Sequence, residues 1–224
     1  TYKNNGYQVP FLAKNKKGYQ NLIKLSSIGF IEGFYYVPRI DKNIILEYSN
    51  DLIVTSGGLY GEIAQLILNE GEQKAEQALI WWKENFKDDF YLEINRHSLE
   101  EEEKVNEVLL RFAKKYSIKY FASNDTHYLN KEDAGAHDVL LCIKDGERKS
   151  TPIGRGRGFR FGYSNNEYYF KSQEDMKALF ADLPEAIKTT NEIIEKCEPY
   201  QLSADVLLPE FEIPDDFKDE KDLS

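Results

Sequence analysis

An aspartate and a histidine that stand two residues apart, Asp125 and His127, are the first candidates for chemistry in this sequence. They follow a strand-like run, residues 118–123, in the stretch FASNDTHYLN. Residues i and i+2 of an extended chain point to the same side, so both side chains can reach one ion. Carboxylate oxygen and imidazole nitrogen suit zinc, manganese or iron. Two ligands do not close a metal site, and a polar loop in which Asp125 caps a turn explains the same residues.

More polar side chains follow another predicted strand, in the stretch EINRHS. His97 in this stretch is a candidate third ligand or a hydrogen-bond partner of a ligand, and a solvated loop histidine is an equally good interpretation. Glu93 and Asn95 alternate with Ile94 and therefore share one face of the strand. His137 lies within a predicted helix, where a packed or surface histidine is the simpler interpretation.

Strand and helix patterns alternate along the chain, which is typical of parallel strands joined by right-handed crossovers. The predicted strands are residues 9–13, 51–56, 90–94 and 118–123, and the predicted helices are 17–30, 61–69, 72–86, 99–117 and 131–146. In such folds the carboxyl ends of the strands collect the functional residues. The polar tails TSGG, EINRHS and ASNDTHY follow successive strands and together predict one functional rim. The glycines of TSGG can cradle an anion with backbone N–H groups or simply turn the chain.

The composition restricts the classes of function. The chain has 224 residues and is 41% hydrophobic, so a globular core is expected. Its net charge of −10 repels the phosphates of nucleic acid unless a local basic patch or a missing segment offsets the charge. No apolar run approaches the roughly 20 residues of a membrane span. Cys142 and Cys197 fall on separate predicted helices and form no CxxC, which predicts a reduced, cytosolic chain. The polar start without Met suggests a piece of something longer.

A loop rich in glycine and arginine occupies residues 147–166. Arg155, Arg157 and Arg160 are candidates for nucleic-acid contacts, because basic groups with interleaved aromatic rings can follow a phosphate backbone and stack on bases. A flexible surface loop, or a loop docked on the acidic body of the same protein, is the simpler explanation. The candidates therefore stand beside two interpretations that need no ligand.

The last quarter of the chain changes pattern once more. Residues 167–200 predict a short strand and two helices, with Pro184 at the start of the second helix. Residues 201–224 are acidic, contain two prolines and have no clear period. They predict a linker or a frayed end.

Six stretches, taken in order, carry a resemblance to a known family: FLAKNKKGYQNLIKLSSIGFIEGFYYVPRID, LIVTSGGLYGEI, FYLEINRHSLEEEEKVNEVLLRFAKKY, ASNDTHYLNKEDAGAHDVLLCI, EYYFKSQEDMKALFADLPEAI and LLPEFEIP. Together they resemble the N-terminal PHP (polymerase and histidinol phosphatase) domain of bacterial replicative DNA polymerase III alpha subunits, and their order and spacing match over nearly the whole chain. The resemblance implies an α/β fold: a distorted, TIM-like, seven-stranded barrel that lacks its first strands here and is followed by a small helical extension. It implies the later part of the barrel at 1–146, the Gly/Arg-rich loop at 147–166, the helical end of the domain at 167–200, and an acidic linker toward the polymerase palm at 201–224.

The resemblance also implies a function. The chain would be a fragment of a cytoplasmic DNA-directed DNA polymerase, a nucleotidyltransferase of DNA replication. Its partners would be the rest of the alpha subunit and, through the full-length protein, DNA and replisome subunits, with no membrane. The family's Mg²⁺-binding palm would follow Ser224 and its His-x-His strand would precede Thr1, so the fragment is expected to be inactive alone. In the family up to three metal ions sit at the strand ends; some members carry a metal-dependent 3′–5′ exonuclease there, and in others the domain is structural.

The family's metal ligands carry over only in part. Asp125 and His127 match its final metal motif. The family's histidine just before the segment that corresponds to FLAKN falls on Gln8, and its cysteine or histidine after the SG strand falls on Gly58. An amide is a poor replacement for imidazole, and glycine offers no side chain. His97 is not a firm ligand position. We therefore expect an incomplete site that mainly supports the structure, with no cofactor in this fragment and zinc or manganese as the ions of any residual site. The alternatives are an active metal-dependent phosphoesterase or proofreading exonuclease, and a nucleic-acid contact module built on the arginine-rich loop.

Overall fold

The computed structural model describes residues 6–154 and 156–203, and its elements form an α/β fold. The strands are β1 (Phe11–Ala13), β2 (Leu52–Thr55), β3 (Phe90–Asn95) and β4 (Tyr120–Ser123). The helices are α1 (Lys16–Ile31), α2 (Lys42–Glu47), α3 (Glu62–Asn69), α4 (Glu72–Phe86), α5 (Glu100–Tyr116), α6 (Ala134–Asp145), α7 (Gln173–Leu179) and α8 (Pro184–Glu195). Short 3₁₀ turns lie at Lys87–Asp89 and Lys131–Asp133.

The predicted elements lie close to the observed ones, with three corrections. Helix α2 was not predicted; it is only six residues long and is capped by Asp41, whose carboxylate accepts the N–H groups of Asn43 and Ile44, both at 2.9 Å. The predicted short strand after residue 167 is a single bridge between Tyr128 and Tyr169. Cys197 follows the end of α8 instead of lying on a helix. Short segments such as these carry too few residues to show a period.

The four strands form an open sheet in the order β1-β2-β3-β4, and the direction of β1 corrects the expectation of parallel strands. Strands β2, β3 and β4 are parallel, whereas β1 pairs antiparallel with β2. The chain leaves β1 at Ala13 and enters β2 at Leu52, which are partners across the ladder, so the connecting segment returns to the edge that it left. Among the described residues the sheet does not close, and a seven-stranded barrel is not confirmed.

The two faces of the sheet bury different sets of side chains. Leu92 and Ile94 of β3 enter the main core with residues of α4 and α5, such as Leu79 and Leu109. The alternate side chains of the sheet face the other way, where Tyr91 packs with Ile193 of α8. The Tyr91 hydroxyl donates to Glu192 at 2.7 Å, and burial together with this carboxylate raises the pKa of Tyr91. The helical end of the chain is therefore packed on the sheet.

Two helical glycines offer a test of how tightly α1 packs on the segment that enters β2. A Cβ atom at Gly18 would lie 2.2 Å from the carbonyl oxygen of Asp51, whereas one at Gly135 of α6 would meet no described residue within 4 Å. We expect Gly18→Ala to lower the free energy of unfolding by about 1–3 kcal/mol, since the backbone must shift. The matched change Gly135→Ala should raise it by up to about 1 kcal/mol through helix propensity. Denaturant unfolding measures both, and an equal response of the two glycines would contradict this packing.

Candidate functional site

A cavity of about 590 Å³ lies where the carboxyl ends of β2, β3 and β4 meet. Its lining includes Gly57 and Gly58 after β2, Asn95 at the end of β3 and Asp125 after β4. Gln8 also lines it, because the antiparallel β1 brings the residues that precede this strand to the same edge. The structure thus brings the three predicted polar tails together with Gln8 in one rim.

The turn after β2 is held by backbone and side-chain bonds of Ser56. The Ser56 N–H donates to the carbonyl of Tyr91, and its hydroxyl oxygen accepts the N–H of Glu93, both at 2.9 Å. Gly57 has a φ of +71°, and a Cβ there would lie 2.9 Å from the carbonyl oxygen of Gln8. The TSGG tail is therefore a tight turn that extends the β2–β3 pairing by one residue.

The side chains of Asp125 and His127 contact each other, with 3.1 Å between Asp125 Oδ1 and His127 Nε2. The hydroxyl of Tyr163 lies 2.7 Å from the same nitrogen. Burial raises the pKa of Tyr163 to about 12, and the Asp125 carboxylate adds to the effect. The phenol keeps its proton at neutral pH and can donate to Nε2 when that nitrogen is unprotonated. A metal ion that used Nε2 would have to displace the Tyr163 hydroxyl.

His97 is buried, with 1% of its surface exposed, so the interpretation as a solvated loop histidine is wrong. Its Nδ1 lies 2.7 Å from a carboxylate oxygen of Glu102, and its Nε2 accepts the backbone N–H of Asp125 at 3.2 Å. An imidazole nitrogen that accepts a hydrogen bond carries no proton, so Nδ1 carries the proton and donates to Glu102. The ring also stacks on Tyr168, with 4.5 Å between ring centroids. Both nitrogens of His97 are committed within the protein.

The described donor set does not fit a closed metal site. Among residues 6–154 and 156–203, no three side chains of His, Cys, Asp or Glu form a group that could hold a metal ion. A side chain at position 58 would have room, since a Cβ there would lie 3.5 Å from Asn95 Oδ1, but Gly58 has none. Gln8 offers an amide in place of a stronger ligand. Binding of metal by Asp125 and His127 stays a prediction.

The segment at residues 165–171 closes one side of the rim. The N–H of His127 donates to the carbonyl of Tyr168 at 2.8 Å, and the N–H of Phe170 donates to the carbonyl of Tyr128 at 2.9 Å. The ammonium group of Lys171 is buried and lies 3.2 Å from Asn124 Oδ1. Burial lowers the pKa of Lys171. These contacts hold the tail after β4 against the helical end of the chain.

The arginine-rich loop is anchored by one of its three candidate arginines. Arg160 is buried, and its guanidinium donates to both carboxylate oxygens of Asp138, at 2.6 and 3.0 Å, and to the carbonyl of Thr151 at 2.9 Å. This corrects the suggestion that Arg160 contacts nucleic acid, because its donors are committed to α6 and the loop itself. Arg157 is exposed and Arg155 lies outside the described residues, so their role stays a prediction.

Sequence reasoning missed Glu102 and Tyr163, which contact histidines of the strand tails, and for Glu102 a signal was available. Glu102 falls on the helical stripe that includes Val105 and Leu109, so burial of its charge beside a partner could have been inferred. His137, which the sequence predicted as a packed or surface histidine, is half-buried, with its ring centroid 5.7 Å from that of His127. Burial lowers the pKa of His137, and His127 lowers it further. Tyr163 and its contact with His127 had no sequence signal.

The fold and the rim define an α/β protein whose polar residues gather at the carboxyl ends of its parallel strands. Residues 1–97 match the family model of the PHP domain. The DNA polymerase III alpha subunit of Borreliella burgdorferi is 43% identical over 212 residues, which cover 94% of this chain and 18% of that protein. Those of Campylobacter jejuni and Thermus aquaticus are 41% and 39% identical and cover 85% and 93% of the chain, but only 16% and 17% of their own lengths.

The chain belongs to the PHP domain family, in the form found in DNA polymerase III alpha subunits. It spans less than a fifth of the length of these relatives, at 16–18%. No helix in the described part of the chain is both long enough and apolar enough to cross a bilayer.

The Asp138–Arg160 pair predicts a pH dependence of stability. The hydrogen bond from Arg160 lowers the pKa of Asp138 in the folded chain. A carboxylate with a lowered folded pKa adds stability above its ordinary pKa of about 3.9, and that stability is lost as the pH falls through the folded value. We expect Asp138→Asn to lower the denaturant midpoint at neutral pH, with a difference from the unchanged chain that shrinks below about pH 4.

The matched control is Asp145→Asn, which neutralises an exposed carboxylate on the same helix. It should leave the midpoint nearly unchanged, since surface substitutions away from such contacts have small effects. A cost of Asp138→Asn that stayed constant from neutral pH to the acid limit would contradict the assignment of this ion pair.

Proposed function

We propose that this chain is a segment of the alpha subunit of a replicative DNA-directed DNA polymerase, and that its rim serves mainly as structural support. The identity to DNA polymerase III alpha subunits over most of the chain supports the parent's identity. The parent would work in the cytoplasm, with the rest of the alpha subunit, DNA and replisome subunits as partners and Mg²⁺ at its palm. We further propose that the open sheet is one arc of the family's seven-stranded barrel.

The proposal of a structural rim rests on the hydrogen bonds that His97 makes within the protein. Both of its ring nitrogens are used within the protein, one by Glu102 and one by the N–H of Asp125. With Gln8 and Gly58 at two other candidate positions, Asp125 and His127 are the only candidate ligands left in the described part of the chain. A metal site of this kind requires at least three protein ligands. The zinc or manganese that the resemblance implies would therefore lack a closed site here.

The electrostatics of the cavity support the same proposal. Its described lining contains four carboxylates, those of Glu93, Glu101, Glu102 and Asp125, and no lysine, arginine or histidine. A phosphate group that entered without a metal ion would meet like charge in a confined space. A phosphoesterase or exonuclease site needs positive charge where negative charge develops. Because only a bound metal ion could supply that charge, the alternative of an active nuclease depends on a closed metal site, which the described residues do not form.

A metal and nuclease assay on the full-length polymerase tests the proposal. We expect tightly bound metal well below one ion per chain, and 3′–5′ exonuclease activity in Mn²⁺ or Zn²⁺ no higher than background. Asp125→Ala should change neither quantity. The matched control, Asp145→Ala, removes an exposed carboxylate outside the cavity. The proposal would be overturned by stoichiometric bound metal together with nuclease activity that Asp125→Ala abolishes and Asp145→Ala leaves unchanged.

A further inference from the structure

An unpaired acceptor lies in the wall of the cavity. Asn95 is only 7% exposed, and its buried Oδ1 has no hydrogen-bond partner among residues 6–154 and 156–203. The atom lies beside the open space at Gly58, where a Cβ would be 3.5 Å away, and both residues line the cavity. Buried polar atoms are nearly always paired, because an unpaired one loses its bonds to water without replacement. A ligand that donates a hydrogen bond would supply what Asn95 lacks.

The charged groups around Asn95 determine which sign of charge such a ligand can carry. Glu93 lies two residues earlier on the same face of β3, about 6.6 Å along the strand, and it lines the same cavity. The half-exposed carboxylate of Asp125 is a second negative group in the lining. No cationic side chain stands among the described lining residues. A positively charged hydrogen-bond donor is therefore attracted to this wall of the cavity, whereas an anion is repelled.

The arrangement of the acceptors favours an organic cation over a small metal ion. Glu93 already accepts the hydroxyl of Thr55 at 3.0 Å, and Glu102 is bonded to His97 through both of its oxygens. A metal ion needs several ligands at about 2.0–2.6 Å. An ammonium or guanidinium group instead takes single acceptors spread around it, at about 2.7–3.2 Å.

Aromatic rings complete the wall. Phe161, Tyr163 and Tyr168 line the same cavity. The face of such a ring attracts a cation, and its apolar surface can pack against the aliphatic stem that carries the charge. The volume of about 590 Å³ exceeds the size of one side chain, so there is room for neighbouring groups of the ligand.

We propose that this cavity binds an organic cation, a primary ammonium or guanidinium group on an aliphatic stem, with Asn95 Oδ1 as hydrogen-bond acceptor and Glu93 and Asp125 as counter-charges. A lysine or arginine side chain of a protein segment and a free alkylamine share this chemistry. The inference rests on the cavity alone and does not depend on the polymerase assignment.

Amide NMR of the ¹⁵N-labelled 224-residue chain tests the proposal with n-butylammonium chloride as the probe. We expect saturable shifts of the Asn95 side-chain amide and the Gly58 N–H. The neutral isostere n-butanol and matched sodium chloride should give none. Nα-acetyl-lysine methylamide provides a second arm: tighter binding than n-butylammonium indicates that the cavity accepts a peptide segment, and equal binding indicates that the cationic group suffices.

Two variants connect the shifts to the named atoms. Glu93→Gln keeps an acceptor for Thr55 and removes the charge, so affinity should fall by about tenfold or more. Its matched control, Glu132→Gln, changes an exposed glutamate outside the cavity and should have no effect. Gly58→Ser places a hydroxyl donor beside Asn95 Oδ1 and should weaken binding while the spectrum stays folded.

Three results would overturn the proposal. The first is a response to n-butylammonium no larger than that to n-butanol. The second is unchanged affinity in both folded variants. The third is selective broadening of the Asn95 and Gly58 signals by Mn²⁺ together with exclusion of n-butylammonium, which would show that the cavity is a metal site.

Discussion

The buried imidazole of His97 is the interaction on which the geometry of the rim depends. It connects the end of β3 to Glu102 in the first turn of α5, and to the backbone of Asp125 after β4. The ring stacks on Tyr168, and the carbonyl of His97 accepts the side-chain amide of Asn165 at 2.6 Å. His97 thus connects four parts of the chain: the end of β3, the first turn of α5, the tail after β4 and the segment at residues 165–168. A histidine used in this way stabilises a site without serving as its ligand.

The direction of β1 is the second constraint. Because this strand runs against β2, the chain before it reaches the carboxyl edge of the parallel strands, where the N–H of Gln8 donates to the carbonyl of Tyr60 at 3.0 Å. The rim therefore gathers an amide at Gln8, a glycine at position 58, and the amide of Asn95. Neutral acceptors and scattered carboxylates bind metal weakly, but they can satisfy a donor that carries charge. The same fold can hold a catalytic metal cluster or a polar cavity, depending on these few side chains.

Much of this organisation follows from the sequence. Apolar periodicity predicted α1, α3, α4 and α5, and the carboxyl ends of parallel strands had to meet, which is why TSGG, EINRHS and ASNDTHY were expected in one rim. The direction of β1 could not be predicted, because a three-residue strand carries no information on its partner's orientation. Arg157 and Arg160 look equivalent in the sequence, yet only the packing of the loop on α6 buries Arg160 against Asp138. The unpaired oxygen of Asn95 likewise exists only in three dimensions.

The proposal of a structural rim depends on His97 being held by Glu102 and the N–H of Asp125 and not by a metal ion. Nitrogen NMR of ¹⁵N-histidine-labelled chain measures this directly, because each ring nitrogen reports its own proton and any bound ion. We expect His97 to carry its proton on Nδ1, and its two nitrogen signals to stay in place when one equivalent of Zn²⁺ is added. A shift of the His97 Nε2 signal to that of a zinc-bound nitrogen, with loss of the Asp125 N–H contact, would contradict it.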